Sequence, residues 1–319
     1  MSNKIIVVAG PTATGKTKLA LDLAKRFQGE IINCDSRQVY QLLDIGTNKG
    51  QLTPTKQILK VNKQELLAYS LDNSGVIGWL FNVVKPNQEF SLAHFQLLAN
   101  DCIKDIQARK KIPILIGGTG LYLDSVLKNY KLPGSEPNWP LRKELEKLSV
   151  AELFTKLRQL NPSKAQSLNA SDQKNPRRLI RLLELASAQS ETTANKGSKL
   201  EYLMFYPKFS KTKLYLQIEQ RVEQMFQQGL VSEVENIVKL GYQNSKAMEG
   251  MGYKETLRYL NGEITLDECK ELIKLAHRHY AIRQITWFEG TGRNYPLAKV
   301  DFIKETENIY QQVREFLAK

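Results

Sequence analysis

The stretch Gly10–Thr17 reads GPTATGKT, and it decides how the first third of the chain is understood. It matches the spacing GxxxxGK[ST]. On its amino side stands IIVVA (Ile5–Ala9), a wholly apolar run that predicts a buried strand. On its carboxyl side, Lys16–Gln28 carries Leu19, Leu23 and Phe27 at four-residue spacing, which predicts an amphipathic helix. A strand feeding a glycine-rich turn and then a helix is the setting in which this motif means phosphate binding. Gly10 and Gly15 let the backbone curl until its N–H groups point inward at an anion. The helix N-terminus adds partial positive charge. Lys16 supplies a full charge, and Thr17 offers a hydroxyl to magnesium. Gly10, Pro11, Thr12, Ala13, Thr14, Gly15, Lys16 and Thr17 are therefore candidate phosphate-binding residues.

Working outward, EIINCD (Glu30–Asp35) and IPILIGG (Ile112–Gly118) predict two more strands. Ser91 is a candidate cap for a helix carrying Leu92, Phe95, Leu98, Ala99, Cys102 and Ile106. VIGWLFNVV (Val76–Val84) reads as a strand or an edge hairpin. Strands alternating with helices predict an α/β fold, a parallel, doubly wound P-loop NTPase-like sheet. KLPGSEPNWP (Lys131–Pro140) reads as a connector, residues 141–190 as short helices, and Gln189–Ser198 as a polar loop. LEYLMFY (Leu200–Tyr206) predicts a strand that returns to the sheet. From Lys211 the pattern is helical, with turns near Gly241, Gly262 and GTGRNYP. The expected organisation is a P-loop core from 1–134 and 199–319, interrupted by a small basic helical insertion at 135–198.

The 319 residues hold 46 Lys and Arg against 33 Asp and Glu, a net charge of +13. Such an excess points to a polyanionic partner. Its distribution sharpens this, because residues 142–199 hold twelve basic and six acidic residues. No apolar run approaches the roughly 20 residues needed to span a bilayer, and the start of the chain does not resemble a secretion signal. A cytoplasmic protein without membrane contact is expected. Three widely separated cysteines, Cys34, Cys102 and Cys269, argue against a disulfide framework or a zinc site.

A hydrolytic P-loop enzyme ordinarily ends a core strand in an acid that serves magnesium. Here IPILIGGTG ends in glycines, and the acid that follows a strand is Asp35, in DSRQVY (Asp35–Tyr40). Asp35 should lie at the carboxyl edge of the sheet, where ligands bind in open α/β folds. On position alone it could equally cap a turn.

Taken together, GPTATGKT, EIINCDSRQVYQLLDIGT, ILIGGTGLY, NPRRLIR, MGYKE and RQITWF, in this order, resemble the tRNA dimethylallyltransferase family. The resemblance runs from Ile5 to about Phe288, nine-tenths of the chain, and the joint order is far more specific than the loop alone. It implies transfer of a dimethylallyl group from its diphosphate to the exocyclic amine of the adenosine immediately 3′ of the anticodon. It implies that Asp35 is the general base, that Thr17 acts at the diphosphate and its Mg2+, and that Thr12–Thr17 line the donor site. Arg221, in IEQRVEQM, matches the arginine that grips the diphosphate. Asp35, Ser36, Arg37, Gln38, Thr119, Arg142, Arg177, Arg178, Leu179, Ile180 and Arg181 match tRNA-contacting positions. The implied partners are the tRNA anticodon stem-loop and dimethylallyl diphosphate, with nothing demanding more than a monomer.

The chain departs from the family pattern at Gln217, where an arginine is common, at Gly50, where a proline is common, and at Ile282, where a lysine is frequent. The match is poor from Lys56 to Leu80. Within HRHYAIRQITWF, His277, Arg278, Tyr280, Arg283 and Trp287 suit an RNA loop, while Ile282, Ile285 and Phe288 read as core. Tyr253 and Lys254 read as either surface or packing. The competing readings are a P-loop small-molecule or nucleoside kinase using ATP, and a non-catalytic RNA-binding protein.

Overall fold

In the computed structural model, residues 3–61, 64–130, 138–187, 200–290 and 295–319 are described. Most of the expected connector, all of the polar loop at 189–198 and most of the GTGRNYP turn lie outside them, as do the expected insertion boundaries 135 and 198. The chain divides into two compact units, Met1–Asn129 with Ser198–Lys319, and Tyr130–Gly197.

The larger unit begins with β1 (Lys4–Ala9), α1 (Lys16–Arg26) and β2 (Gly29–Asn33). It continues through β3 (Leu52–Val61), β4 (Gln64–Leu71), β5 (Val76–Trp79), α2 (Leu92–Ala108), β6 (Ile112–Gly117) and α3 (Gly120–Leu127). These strands and two later ones form one sheet in the order β3-β4-β5-β2-β6-β1, then β7 (Glu201–Pro207) and β8 (Leu297–Val300). From β5 to β8 every neighbouring pair is parallel. The pairings β3–β4 and β4–β5 are antiparallel.

The central strands are continuous apolar runs because both sheet faces are covered. Ile5, Val7 and Ala9 pack with α2 and α3, and Ile6 and Val8 pack with α1. This is the α/β sheet that the strand–helix alternation predicts. VIGW forms an interior strand, since β4 covers the side that would otherwise be open.

The second unit holds α4 (Trp139–Leu145), α5 (Val150–Leu160), α6 (Pro162–Gln166), α7 (Ala170–Gln173) and α8 (Pro176–Ser187). Leu145, Leu153, Leu157, Leu179, Ile180 and Leu183 make its core. Ser149 and Glu152 form a reciprocal cap at the start of α5.

The larger unit ends with α9 (Lys211–Gln227), α10 (Leu230–Lys239), α11 (Tyr253–Leu260), α12 (Leu266–Glu289) and α13 (Thr306–Ala318). α10 and α11 secure the loop after β2. Glu233 accepts from the backbone N–H groups of Asp44, Ile45 and Gly46 at 3.0, 2.7 and 3.2 Å, and from the Tyr253 hydroxyl at 2.7 Å. Tyr253 is therefore packing, not surface. A Cβ on Gly46 would sit 2.6 Å from its ring. Among the described residues, no helix is long and apolar enough to cross a membrane.

Candidate active site

The Gly10–Thr17 loop follows β1 and opens α1. Gly10 has φ 141° and Gly15 φ 81°, a backbone only glycine adopts without strain. Gly10 is doubly constrained, because a Cβ there would meet the Pro207 ring at 2.6 Å. The helix start carries no side-chain cap, which leaves its first-turn N–H groups to a ligand. The Thr12 N–H donates to Gln284 Oε1 at 2.8 Å, and the Thr14 hydroxyl donates to Pro11 O at 2.8 Å.

Two cations converge here. Lys16 Nζ donates to Pro11 O at 2.5 Å, and Arg221, on α9, donates to Thr12 Oγ1 at 2.8 Å. Neither forms a salt bridge among the described residues. Burial first, and then the Arg221 guanidinium, lower the Lys16 pKa to about 7 against the opposing pull of Asp35. Burial also lowers that of Arg221. Cations held away from water without a carboxylate are costly unless an anion arrives.

Asp35 lies two residues past β2, at the carboxyl edge of the sheet. Its Oδ1 accepts from the backbone N–H groups of Arg37 at 2.8 Å and Gln38 at 3.4 Å. The turn-orienting reading of Asp35 is thus correct as far as one oxygen goes. The other oxygen, Oδ2, has no hydrogen bond among the described residues, and Asp35 lines the same cavity as Thr12–Thr17, Arg221, Tyr280 and Gln284. That cavity measures about 540 Å³. Asn33 anchors the backbone of Asp35. It accepts from Asp35 N–H at 3.1 Å and donates to Leu80 O at 3.0 Å.

Thr119, the residue before α3, accepts from Ser36 N–H at 3.3 Å and lies 3.5 Å from the Tyr280 hydroxyl. Burial, and then Asp35, push that phenol up to about 12. The Arg37 and Gln38 side chains turn back onto the chain. Arg37 donates to Lys246 O at 3.2 Å, and Gln38 to Thr47 O and Asn48 O at 3.0 and 3.2 Å.

The other expected positions fall in the second unit. Arg177 and Arg178 are exposed at the start of α8, where Arg178 pairs with Asp172 at 2.8 Å. Leu179 and Ile180 are 0% and 6% exposed, so neither offers a side chain to a partner. Arg142 and Arg181 both bind the buried Glu184, Arg142 at 2.6 Å. Burial pushes the Glu184 carboxyl up, but these two arginines outweigh it and hold it below the ordinary carboxylate range.

Several expectations for α12 change. His277 is buried rather than available to RNA, Arg278 is tied to Glu219, and the Trp287 indole donates to the Tyr295 hydroxyl at 2.9 Å. Ile282 is 43% exposed and is not core, whereas Phe288 is buried. Tyr280, which the sequence marks only as one of several aromatics suited to RNA, lines the cavity itself. Gln284 is the site residue that sequence reasoning misses altogether. It is the glutamine of RQITWF, and that motif was its only signal. A Cβ on Gly118 would sit 1.9 Å from the Gln284 amide, so the glycine pair after β6 makes room for it.

Comparison with known proteins agrees with this geometry. Residues 38–291 match the model of the IPP transferase family. A tRNA dimethylallyltransferase of Acetivibrio thermocellus is 36% identical over 99% of this chain and 98% of its own length. One from Lactococcus lactis subsp. cremoris is 39% identical over 99% of both chains. The crystal structure of the tRNA isopentenylpyrophosphate transferase from Bacillus halodurans superposes with a TM-score of 0.68 at 33% identity, covering 98% of this chain and 96% of that one. A eukaryotic dimethylallyltransferase shares the fold, with a TM-score of 0.72 at 24% identity over 99% of this chain and 80% of its own. By sequence over most of its length, and by fold, the chain belongs to the IPP transferase family.

Proposed function

We propose that the protein transfers a dimethylallyl group from dimethylallyl diphosphate to the exocyclic N6 amine of the adenosine immediately 3′ of the anticodon in tRNA, releasing diphosphate. Membership of the family supports dimethylallyl transfer to tRNA, and does not favour the kinase reading. One observation carries the chemistry: two cations that have no carboxylate partner among the described residues share a cavity with a carboxylate whose second oxygen has no hydrogen bond among them.

Such a cavity suits a reaction with a departing anion on one side and a departing proton on the other. The adenine amine is a weak nucleophile because its lone pair is delocalised into the ring. Asp35 Oδ2 accepts its proton as the bond to carbon forms. As the allylic C–O bond breaks, negative charge grows on the diphosphate. The loop N–H groups, Lys16 and Arg221 stabilise that charge, and they are fixed in place before the reaction. The backbone bonds to Asp35 Oδ1 hold the carboxylate in register.

Among the described residues, no group of three or more His, Cys, Asp or Glu could hold a metal ion. Magnesium keeps several waters and draws few ligands from a protein when phosphates supply the rest. Thr17, at the start of α1, is the ligand the chain would offer. The ion would neutralise charge on the leaving diphosphate. The base must leave its stack to reach Asp35. Ser36 and Thr119, hydrogen-bonded to each other next to Asp35, are the tRNA contacts proposed in the larger unit, and the exposed Arg177 and Arg178 supply phosphate contacts in the second unit, together with Arg142 and Arg181.

Labelled donor, magnesium and an anticodon stem-loop, incubated with and without ATP, test the proposal. Label should reach RNA without ATP. Phosphate moving from ATP to an acceptor, with no prenyl transfer, would overturn it.

A further inference from the structure

α9 and α12 share a buried seam beside the loop. On α9 its residues are Leu214, Ile218, Val222 and Met225. On α12 they are Cys269, Ile273, His277, Ala281, Gln284 and Phe288. Val222 and Met225 cluster with Cys269 and Ile273, while Leu214 and Ile218 cluster with Ala281 and with Ala13 of the loop. The two helices therefore run in opposite directions. His277 lies between Ile273 and Ala281, level with the turn of α9 from Ile218 to Val222, and Arg221 belongs to that turn. Both helices reach the loop at one residue. Arg221 donates to Thr12 Oγ1 and Gln284 accepts from Thr12 N–H, each at 2.8 Å.

His277 is 6% exposed, and neither ring nitrogen has a hydrogen-bond partner among the described residues. Burial, and then the Arg221 charge, lower its pKa to about 4, so the ring is uncharged at neutral pH. One nitrogen of an uncharged imidazole accepts and the other donates. Leaving both unmade in the interior is costly, and a leucine would fill the place without that cost. Arg221 has the complementary need. It is the residue of α9 that lines the cavity, and its bond to Thr12 uses one of five N–H groups. Glu219, on the same stretch of α9, is engaged by Arg278. A carboxylate behind Arg221 would orient the guanidinium but would also neutralise it. An uncharged acceptor orients it and leaves the charge for an anion.

We propose that His277 is a positioning residue for Arg221: its imidazole accepts a hydrogen bond from the guanidinium through a buried water and keeps it aimed at the loop. This rests on the function given above and deepens it, by naming what holds the cation that meets the donor's diphosphate. A buried water needs two or more polar partners, and the ring and the guanidinium supply them. His277 does not line the cavity, so its effect on the donor passes through Arg221.

The test is a double-mutant cycle on donor KM, kcat and the binding of inorganic diphosphate with magnesium. It uses His277→Leu, His277→Gln, Arg221→Ala and the pair His277→Leu with Arg221→Ala. His277→Leu should raise the donor KM and weaken diphosphate binding by about three- to tenfold, the scale of one hydrogen bond. Its kcat should stay within about twofold of wild type, since Asp35 is untouched. Its melting temperature should hold or rise, because an apolar side chain of similar size replaces a buried polar one. His277→Gln restores an acceptor and should recover most of the wild-type KM. With Arg221→Ala already in place, His277→Leu should add nothing. A wild-type KM in folded His277→Leu, or the same loss with and without Arg221, would overturn the role of His277 and leave the function standing. If the chain transferred no prenyl group, the function would fall, and diphosphate binding would still decide whether the two residues are coupled. His277→Val, smaller and equally without an acceptor, gives the same reading if His277→Leu does not fold.

Discussion

Two regions of this protein are rich in cations and treat them in opposite ways. At the loop, Lys16 and Arg221 have no carboxylate partner among the described residues, and the start of α1 has no side-chain cap. In the second unit, Arg142 and Arg181 converge on Glu184, and Arg178 meets Asp172. The first arrangement is poised for an anion and is costly until one binds. The second is already satisfied and stabilises its own unit. A count of basic residues ranks the second region higher. The pairing pattern shows that charge available to a ligand depends on which cations are unpaired.

The largest effect is expected at the carboxylate that shares the cavity with Lys16 and Arg221. Asp35→Ala should lower kcat by roughly two to four powers of ten, the range for a lost general base. Binding of the tRNA should hold within a few-fold in a filter or anisotropy assay. Near-normal turnover would remove Asp35 from the chemistry.

Breaking the satisfied cluster should instead register in stability. Glu184→Ala leaves Arg142 and Arg181 without their shared partner in a buried setting, which should cost the second unit about 3–5 kcal/mol. Hydrogen exchange should show weakened protection in α4, α5 and α8, with the larger unit little changed. The pH dependence has a definite sign. The Glu184 pKa is depressed in the folded state, so its contribution is complete above the unfolded value near 4.5 and is lost as pH falls through the folded value. Acidification should therefore destabilise the native protein more than the variant.

Arg221→Ala removes one unpaired cation and a charge-assisted bond. The donor requirement should rise by roughly 10- to 100-fold, as expected for such a bond. An unchanged donor titration would refute its place at the diphosphate. Lys16 couples donor binding to protons. With its pKa near 7 in the free site, it is partly neutral at neutral pH, and an arriving diphosphate favours the charged form. Donor binding should take up a proton at pH 8 and almost none at pH 6. Calorimetry in buffers of different ionisation enthalpy reads this directly. Above pH 7 the apparent affinity should fall by up to about tenfold per pH unit.

The smallest effect is expected on the exposed face of α8. Replacing Arg177 and Arg178 with alanine should weaken tRNA binding evenly across sequences. For every phosphate the helix no longer neutralises, the slope of log K against log salt should fall by about 0.7–0.9. A slope that stays the same would take this helix out of the interface.

Much of the site is legible in the sequence because local chemistry fixes it. GPTATGKT needs glycines where φ is positive, and the adjoining apolar runs can only be a strand and a helix. Asp35 is legible by its place after a strand. Arg221 comes from resemblance alone, since nothing local marks one arginine on a helix as a site residue. Gln284 is hidden for the same reason, and Tyr280 shows only its aromatic character. Both reach the loop's cavity because α12 packs across it, a contact 272 residues apart in the chain for Gln284 and Thr12. The β3–β4 pair is hard to read because its strands are exposed on one side and lack a clean apolar alternation.

The order of the motifs determined by itself that this chain folds as a P-loop α/β protein, with glycines placed for a phosphate loop. Those features depend on backbone freedom and on hydrophobic period, both of which are properties of short segments. Which cations stay unpaired, which oxygen of Asp35 remains free, and which apolar residues meet under the loop were decided only by the tertiary structure. Electrostatic pairing and cavity shape arise from groups far apart in the chain, and only packing brings them within reach of one another.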